Sequence, residues 1–545
     1  MQITGWGAGA LCALPLVEQV CCGRASVEWF QFRIVAIIVV ISVTLGVIGI
    51  RVLEAYEKGG KPILVGTTDT VSSLDPAGAY DAGSWAVYSN LYQSLLTFER
   101  GKEQPVPDAA RSCEFTGADL LQYTCELRSD LEFANGNKLT AEAVKFSFDR
   151  IRRIRSPQGP MPLLETLGSV KVRDNTVTFF LKTPDATFPF KIATGAGSIV
   201  DPATYEKDRL RRDGDANGSG PYRIEAYSEG REARLVPNTG YRGALAALGN
   251  RVTIRYYESP GDLEKAWKKR EIDVVGRGLP PKALTSVVES TARNVNVEEN
   301  TAYATRSLVF NLRENAPLSE PAVRQAVAAV IDRQALARDV HDRTVTPLYS
   351  LIPTGVNGHT TSYFENDPRP DPDKARRLLE DAGIETPVSF RIAYSQGAAT
   401  DAEAELLRQQ LEDTGLFDVK VTRHEWTQFQ KGFAAGKYDA YCIGWFADFP
   451  DPETFVTPVV GSGSAYHNAY RDSRVDRLIR ATQRTADRRA AARDFASIQD
   501  IVAEDVPLIP LWERKDYVLS TDGIAGYQYL SDGSGAWRLW ELSRI

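Results

Sequence analysis

The chain has 545 residues, a net charge of −7, 43% apolar residues and 25% charged ones. That length supports two or three domains with sizeable cores, in the proportions of an ordinary soluble protein. An acidic balance spread along the chain argues against nucleic acid as the main partner, because phosphate recognition needs a basic field.

The first segment, 1–33, has no periodicity and carries Cys12, Cys21 and Cys22. A basic n-region followed by an apolar run reads well from about Val27, so the start looks over-extended. Residues 34–50, "IVAIIVVISVTLGVIGI", are uncharged and flanked by Arg33 and Arg51. At ~1.5 Å per residue they nearly cross a ~30 Å hydrocarbon core. The run is long for a cleavable h-region of about 7–15 residues. We therefore expect an uncleaved signal anchor and a membrane tether, with a cleaved signal peptide as the alternative.

From Lys61 onward, strand and helix signals alternate. "ILVGTT" (63–68) is a β-branched run. Cys113 and Cys125 sit on two short strands around "TGAD". With Asp119 at the tip they face each other, where Cα atoms lie ~4.5–5.5 Å apart and a disulfide can form. A loop that short gains about 3 kcal/mol in the chain-entropy model. The bridge implies an oxidising compartment. "LTAEAVKFSFDRIRRI" has Thr140 as N-cap and Val144, Phe148 and Ile151 at helical spacing. "VKVRDNTVTFFL" reads as a hairpin turning at Asp174-Asn175.

The alternation is clearest after residue 370. Asp371 caps a helix with Pro372 at its first position, a Leu378/Leu379/Ala382 stripe and Gly383 beyond its end. Strands 388–394, 418–426 and 438–445 then alternate with helices. This βαβαβ run predicts an α/β domain with a largely parallel sheet, which binds ligands outside the carboxyl ends of its strands. "GWFADFPDP" (444–452) lies at such an end. It is either a turn of prolines and aspartates or a ligand-facing corner built from Trp445, Phe446 and Asp448.

Several motifs carry little chemistry. His341, His359, His424 and His467 lack metal-ligand spacing, so no metal site is expected. "DGDANG" (213–218) opens like a calcium loop, but Ile224 stands where a bidentate Glu is required. "GSGSAYH" (461–467) has no nucleophile elbow. No phosphate-cradling G-x-x-x-x-G-K motif occurs, so no nucleotide cofactor is expected. Asp448 and Asp451 could form a glycosidase-like acid pair, but a three-residue loop spacing does not establish the separation that chemistry needs. Cys442 reads as packing in a buried strand.

Six blocks occur in order: "SLDPAGAYDAGSWAVYSNLYQSLLTFE", "LEFANGNKLTAEAVKFSFDRI", "GSGPYRIEAYSEGREARLVPNTGY", "LVFNLRENAPLSEPAVRQAVAAVIDR", "DPDKARRLLEDAGI" and "GWFADFPDPETF". Together they resemble the extracytoplasmic solute-binding proteins of ABC importers, in the oligopeptide/dipeptide-binding family (family 5). The resemblance implies an α/β, periplasmic-binding-protein-like type II clamshell. One lobe would comprise 61–103, 218–306 and 515–545, the inserted subdomain 104–217, and the second lobe 307–514. It further implies a non-enzymatic, monomeric receptor that encloses a peptide between its lobes and presents it to ABC permease subunits. Asp448 would pair with the peptide's α-amino group and Trp445 would line the cleft with Phe446. Tyr80, Tyr303 and Asn311 fall in blocks that border the cleft in the family. Dipeptide-specific relatives carry an Arg for the ligand carboxylate in the loop matching "SQGAAT" (395–400), and here that loop has no basic residue. The ligand is then a longer peptide, or a non-peptide solute such as a sugar, an opine or a metal chelate. A hydrolase or a sensory receptor on this architecture are the remaining readings.

Overall fold

The computed structural model describes residues 60–245, 249–290, 294–397, 399–531 and 535–545. The expected N-terminal segment and the apolar run Ile34–Ile50 lie outside these residues. Among the described residues, no helix is long and apolar enough to cross a membrane.

Within the unit Pro62–Ile545, the described residues form one 11-stranded sheet. Its main strands are β1 (Ile63–Thr67), β2 (Tyr222–Ser228), β3 (Glu232–Pro237), β4 (Val252–Tyr256) and β5 (Val274–Arg277). They continue with β6 (Val295–Phe310), β7 (Val388–Ser395), β8 (Phe417–His424), β9 (Ala440–Phe446) and β10 (Leu508–Thr521). The spatial order is β8-β7-β9-β6-β10-β5-β1-β4-β3-β2. At one end β1 runs parallel to β4 and β5. At the other, β7 runs parallel to β8 and β9, as the βαβαβ pattern predicts. Two long antiparallel strands, β6 and β10, join these halves. Their register slips between Thr301 and Thr305, which face Lys515 and Glu513. β6 thus carries two more residues than β10 there, a bulge of the kind that bends a strand pair.

Separate hydrophobic clusters lie under the two halves. One gathers Ile63, Val65, Ile254, Val274 and Val518. Another gathers Leu308, Phe310, Ile392, Cys442 and Leu511, which places Cys442 in packing. A third core belongs to an antiparallel four-stranded sheet, Ala110–Phe115, Gln122–Leu127, Thr176–Leu181 and Leu167–Arg173. The helix Ala141–Ile154 covers it with Val144, Phe148 and Ile151, each under 5% exposed. Thr140 caps that helix by accepting from Ala143 N. Cys113 and Cys125 face each other in the sheet and are disulfide-bonded, with their Cα atoms 4.1 Å apart.

Several strand boundaries shift by one or two residues, the strand expected over 438–445 running Ala440–Phe446, and two differences have a local cause. The strand expected over 418–426 stops at His424, because the Glu425 side chain caps the next helix through Thr427 N and Gln428 N. The helix Pro372–Asp381 buries Ala375 and Leu379, while Leu378 is half-buried. Ala382 is its exposed C-cap and lies outside the stripe.

Candidate ligand-binding site

"GWFADFPDP" leaves β9 and turns into a short 3₁₀ helix, Pro452–Phe455. Alternation along β9 sends Trp445 and Phe446 to opposite faces. The two rings therefore do not form one wall. Trp445 meets Tyr466 edge-on at 5.8 Å, with its Nε1 buried and without a hydrogen-bond partner among the described residues. Two guanidinium groups, of Arg277 and Arg514, each lie 5.9 Å from the centroid of the Phe446 ring. Phe449 enters the core beneath β1 and touches Phe190.

The three acids that follow are treated differently. Asp451 caps the 3₁₀ helix through Glu453 N and takes both arms of Arg488, at 2.7 and 2.9 Å. Glu453 lies 3.7 Å from Lys191, which also binds Asp185 at 2.9 Å. Burial pushes the Glu453 carboxyl up. Burial opposes ionisation of Asp185 too, but Lys191 and hydroxyl donors carry that group below its ordinary value.

Asp448 alone among the three has no cation bound to it within the described residues. It is 8% exposed. Tyr80 OH donates to its Oδ2 at 2.7 Å and Thr454 Oγ1 donates to the same oxygen at 3.1 Å. Asp448 N in turn donates to Thr454 Oγ1 at 3.0 Å. Oδ1 receives no hydrogen bond from any described residue. Burial pushes the carboxyl up to about 7, against the pull of the two hydroxyls. A cavity of ≈ 70 Å³ reaches Asp448 and is walled in part by Trp85, Tyr88 and Trp540. Tyr80 rests on Trp85, with ring centroids 5.3 Å apart.

The structure thus brings Tyr80 to Asp448, with Trp445 and Phe446 on the adjoining strand end. It does not bring Asn311 there. β6 and β9 are antiparallel, so Ala304 faces Phe446 and Phe310 faces Ala440. Asn311 follows the end of β6 and therefore sits beside the start of β9, ~20 Å along the strand from Phe446 at ~3.4 Å per residue. Its side chain donates to Gly436 O and accepts from Arg313, which is a structural role. Tyr303 does approach the corner, through its backbone oxygen, which accepts from Ala447 N. Sequence reasoning missed Thr454, Arg277 and Arg514. A Thr six residues past an Asp across two prolines was the available signal for the first, and nothing local marked the two arginines.

The profile of bacterial extracellular solute-binding proteins, family 5 (middle region), matches residues 104–467. The chain belongs to this family. It is accordingly an extracytoplasmic binding protein and not an enzyme. The probable D,D-dipeptide-binding periplasmic protein DdpA of Escherichia coli K12 is 26% identical over 487 residues, covering 86% of this chain and 91% of that one. Haemophilus influenzae OppA, solved with the peptide RPPGFSPFR, matches with a TM-score of 0.76 at 21% identity, over 89% of this chain and 98% of that one. Helicobacter pylori DppA, solved with the peptide STSA, matches with a TM-score of 0.77 at 22% identity over the same shares. These likenesses establish the periplasmic-binding-protein-like α/β fold.

Proposed function

We propose that this family member captures peptides outside the cytoplasm and presents them to an ABC permease, with Asp448 receiving the peptide's α-amino group. The observation that carries this reading is the open Oδ1 of a buried carboxylate held only by hydroxyls. A desolvated anion with no protein cation is costly, and a ligand ammonium relieves that cost. Thr454 holds Oδ2 from within the same lobe and Tyr80 joins it on closure, which leaves Oδ1 to the ligand. Trp445, Phe446 and Tyr80 supply apolar contact on the sides. Relatives named or solved as peptide binders support the ligand class.

The lobes in this reading are 61–103 with 218–306 and 515–545, against 307–514, with 104–217 as the insert. β6 and β10 are the connecting strands, and their bulge at 301–305 is the bending point. Contacts that cross between the parts, Tyr80 to Asp448 and Lys191 to Glu453, belong to the closed form. The protein acts as a monomer, held at the membrane by the run 34–50.

N-terminal acetylation tests the assignment. A free-amine peptide retained from a random library should bind tenfold to a few hundredfold more tightly than its acetylated form in calorimetry, as loss of a charged hydrogen bond worth ~1.5–3 kcal/mol implies. Equal binding of the two forms would make Asp448 a turn residue only.

A further inference from the structure

We propose that Arg514, with Arg277 beside it, receives the ligand's carboxylate across the ring of Phe446. This rests on the peptide reading above and adds the second anchor that the loop 395–400 does not provide.

Arg277 ends β5, and Asp69 lies two residues past the end of β1, the strand parallel to it. Phe446 ends β9, which is parallel to β7. Carboxyl ends of parallel strands from both halves of the sheet converge here, where ligands bind in α/β folds.

The two cations are not equivalent. Arg277 is 4% exposed and ion-paired: its Nε lies 3.0 Å from Asp69 without a hydrogen bond between them, an Nη donates to Gly535 O at 3.3 Å, and its guanidinium lies 5.1 Å from the centroid of the Trp537 ring. Arg514 is half-buried. Its side chain makes no hydrogen bond or ion pair with any described residue, and its one described contact of this kind is with the face of Phe446. Asp516 acts on it electrostatically without forming an ion pair. Burial pulls Arg514 below its ordinary value, the expected response of a desolvated cation lacking a bound anion. The guanidinium fork matches a carboxylate in two parallel hydrogen bonds. With Asp448 two residues beyond Phe446, receptors for both charges of a zwitterion would meet around the end of β9.

The test uses full-length protein and one peptide retained from a random di- to pentapeptide library, as free acid and as C-terminal amide. Wild type should bind the amide ten- to a hundredfold more weakly than the acid. Arg514→Gln should bind both forms at the amide's level, with the amide's own affinity unchanged from wild type. Arg514→Lys should keep part of the preference, which guards against a folding defect. Equal binding of acid and amide by wild type overturns the subsite and leaves the peptide reading standing. So does an undiminished acid preference in Arg514→Gln. Retention of no library member by wild type overturns the peptide reading and this inference with it.

Discussion

Asp75 and Asp448 are both buried carboxylates, at 1% and 8% exposure, yet the molecule treats them in opposite ways. Asp75 takes both arms of Arg150, at 2.6 and 2.5 Å, and the backbone N–H groups of Ala77 and Arg211. Arg150 also donates to Glu206 O and Arg209 O. Every charge in that cluster is answered from within the chain. Asp448 has two hydroxyls on one oxygen and nothing described on the other. The first arrangement joins the helix Ala141–Ile154 to the segment after β1 and has no use for a ligand. The second keeps an unmet charge, and an unmet buried charge is a demand for a partner.

The largest expected effect lies on the answered side. Arg150→Met would leave Asp75 buried and alone, at a cost of about 3–5 kcal/mol. The first transition in urea unfolding should move to lower denaturant by that amount. Asp448→Asn should show no such loss, since it removes an anion that nothing answers. If the two variants lose stability equally, the contrast between the sites is wrong.

The next effect is on closure and pH. The Asp448 carboxyl, near 7 in this structure, compares with ~3.9 when solvated, and the proposed opening of the lobes moves it between the two. Because the closed-state value is raised, ionisation opposes closure. The opposition is absent below about pH 4, grows as pH rises, and is complete above about 7. Three units amount to at most about 4 kcal/mol. Small-angle scattering of empty protein should therefore show a more compact form at pH 5 than at pH 8, and Asp448→Asn should abolish the difference. Where the empty protein is closed and its carboxyl protonated, as at pH 5, a cationic ligand restores the ionised form, so binding there should release up to one proton, and affinity should fall with falling pH toward tenfold per unit. Proton uptake, or a flat profile, would contradict a raised carboxyl as the receptor.

How much of this was readable beforehand depends on how local the determinant is. Thr140 and Asp371 act on the next turn of chain, and Cys113 and Cys125 are joined by one short hairpin, so sequence exposed all of them. The parallel unit β7, β8 and β9 announced itself through its alternating helices. Partners far apart in the chain did not. Arg488 neutralises Asp451, Lys191 serves Glu453, and Arg277 and Arg514 meet at Phe446. Without those pairings, three acids in one turn look alike. Asn311 shows the reverse failure. Its block borders the site in chain terms, but the antiparallel register of β6 against β9 carries it to the opposite end.

Charge removal at the receptor comes next in size. Asp448→Asn keeps shape and should weaken a free-amine peptide by tenfold to a few hundredfold, while leaving the acetylated peptide nearly unchanged. Trp445→Ala should weaken both forms alike, because lost aromatic contact is blind to the ligand's charge. Isothermal titration of the two peptides against the two variants separates charge from contact. A Trp445 variant that discriminated between the peptides would mean that its unpartnered Nε1, and not its ring face, serves the ligand.

The smallest expected effect concerns Tyr80. Its hydroxyl donates to Asp448 Oδ2 at 2.7 Å, and its ring leans on Trp85. Tyr80→Phe removes only the donor. A hydrogen bond to a charged group contributes roughly 1.5–3 kcal/mol net, and water that replaces the hydroxyl recovers part of it, so free-amine affinity should fall about two- to tenfold. The hydroxyl also favours the ionised form, so its loss should move the fall in affinity to higher pH. That pH shift distinguishes orientation of the receptor from simple packing. A Tyr80 that only fills space would weaken acetylated and free peptides equally, with the pH profile unmoved. A Tyr80 that poises Asp448 would spare the acetylated peptide and shift the profile, because the acetylated amine never uses the charge that the hydroxyl protects.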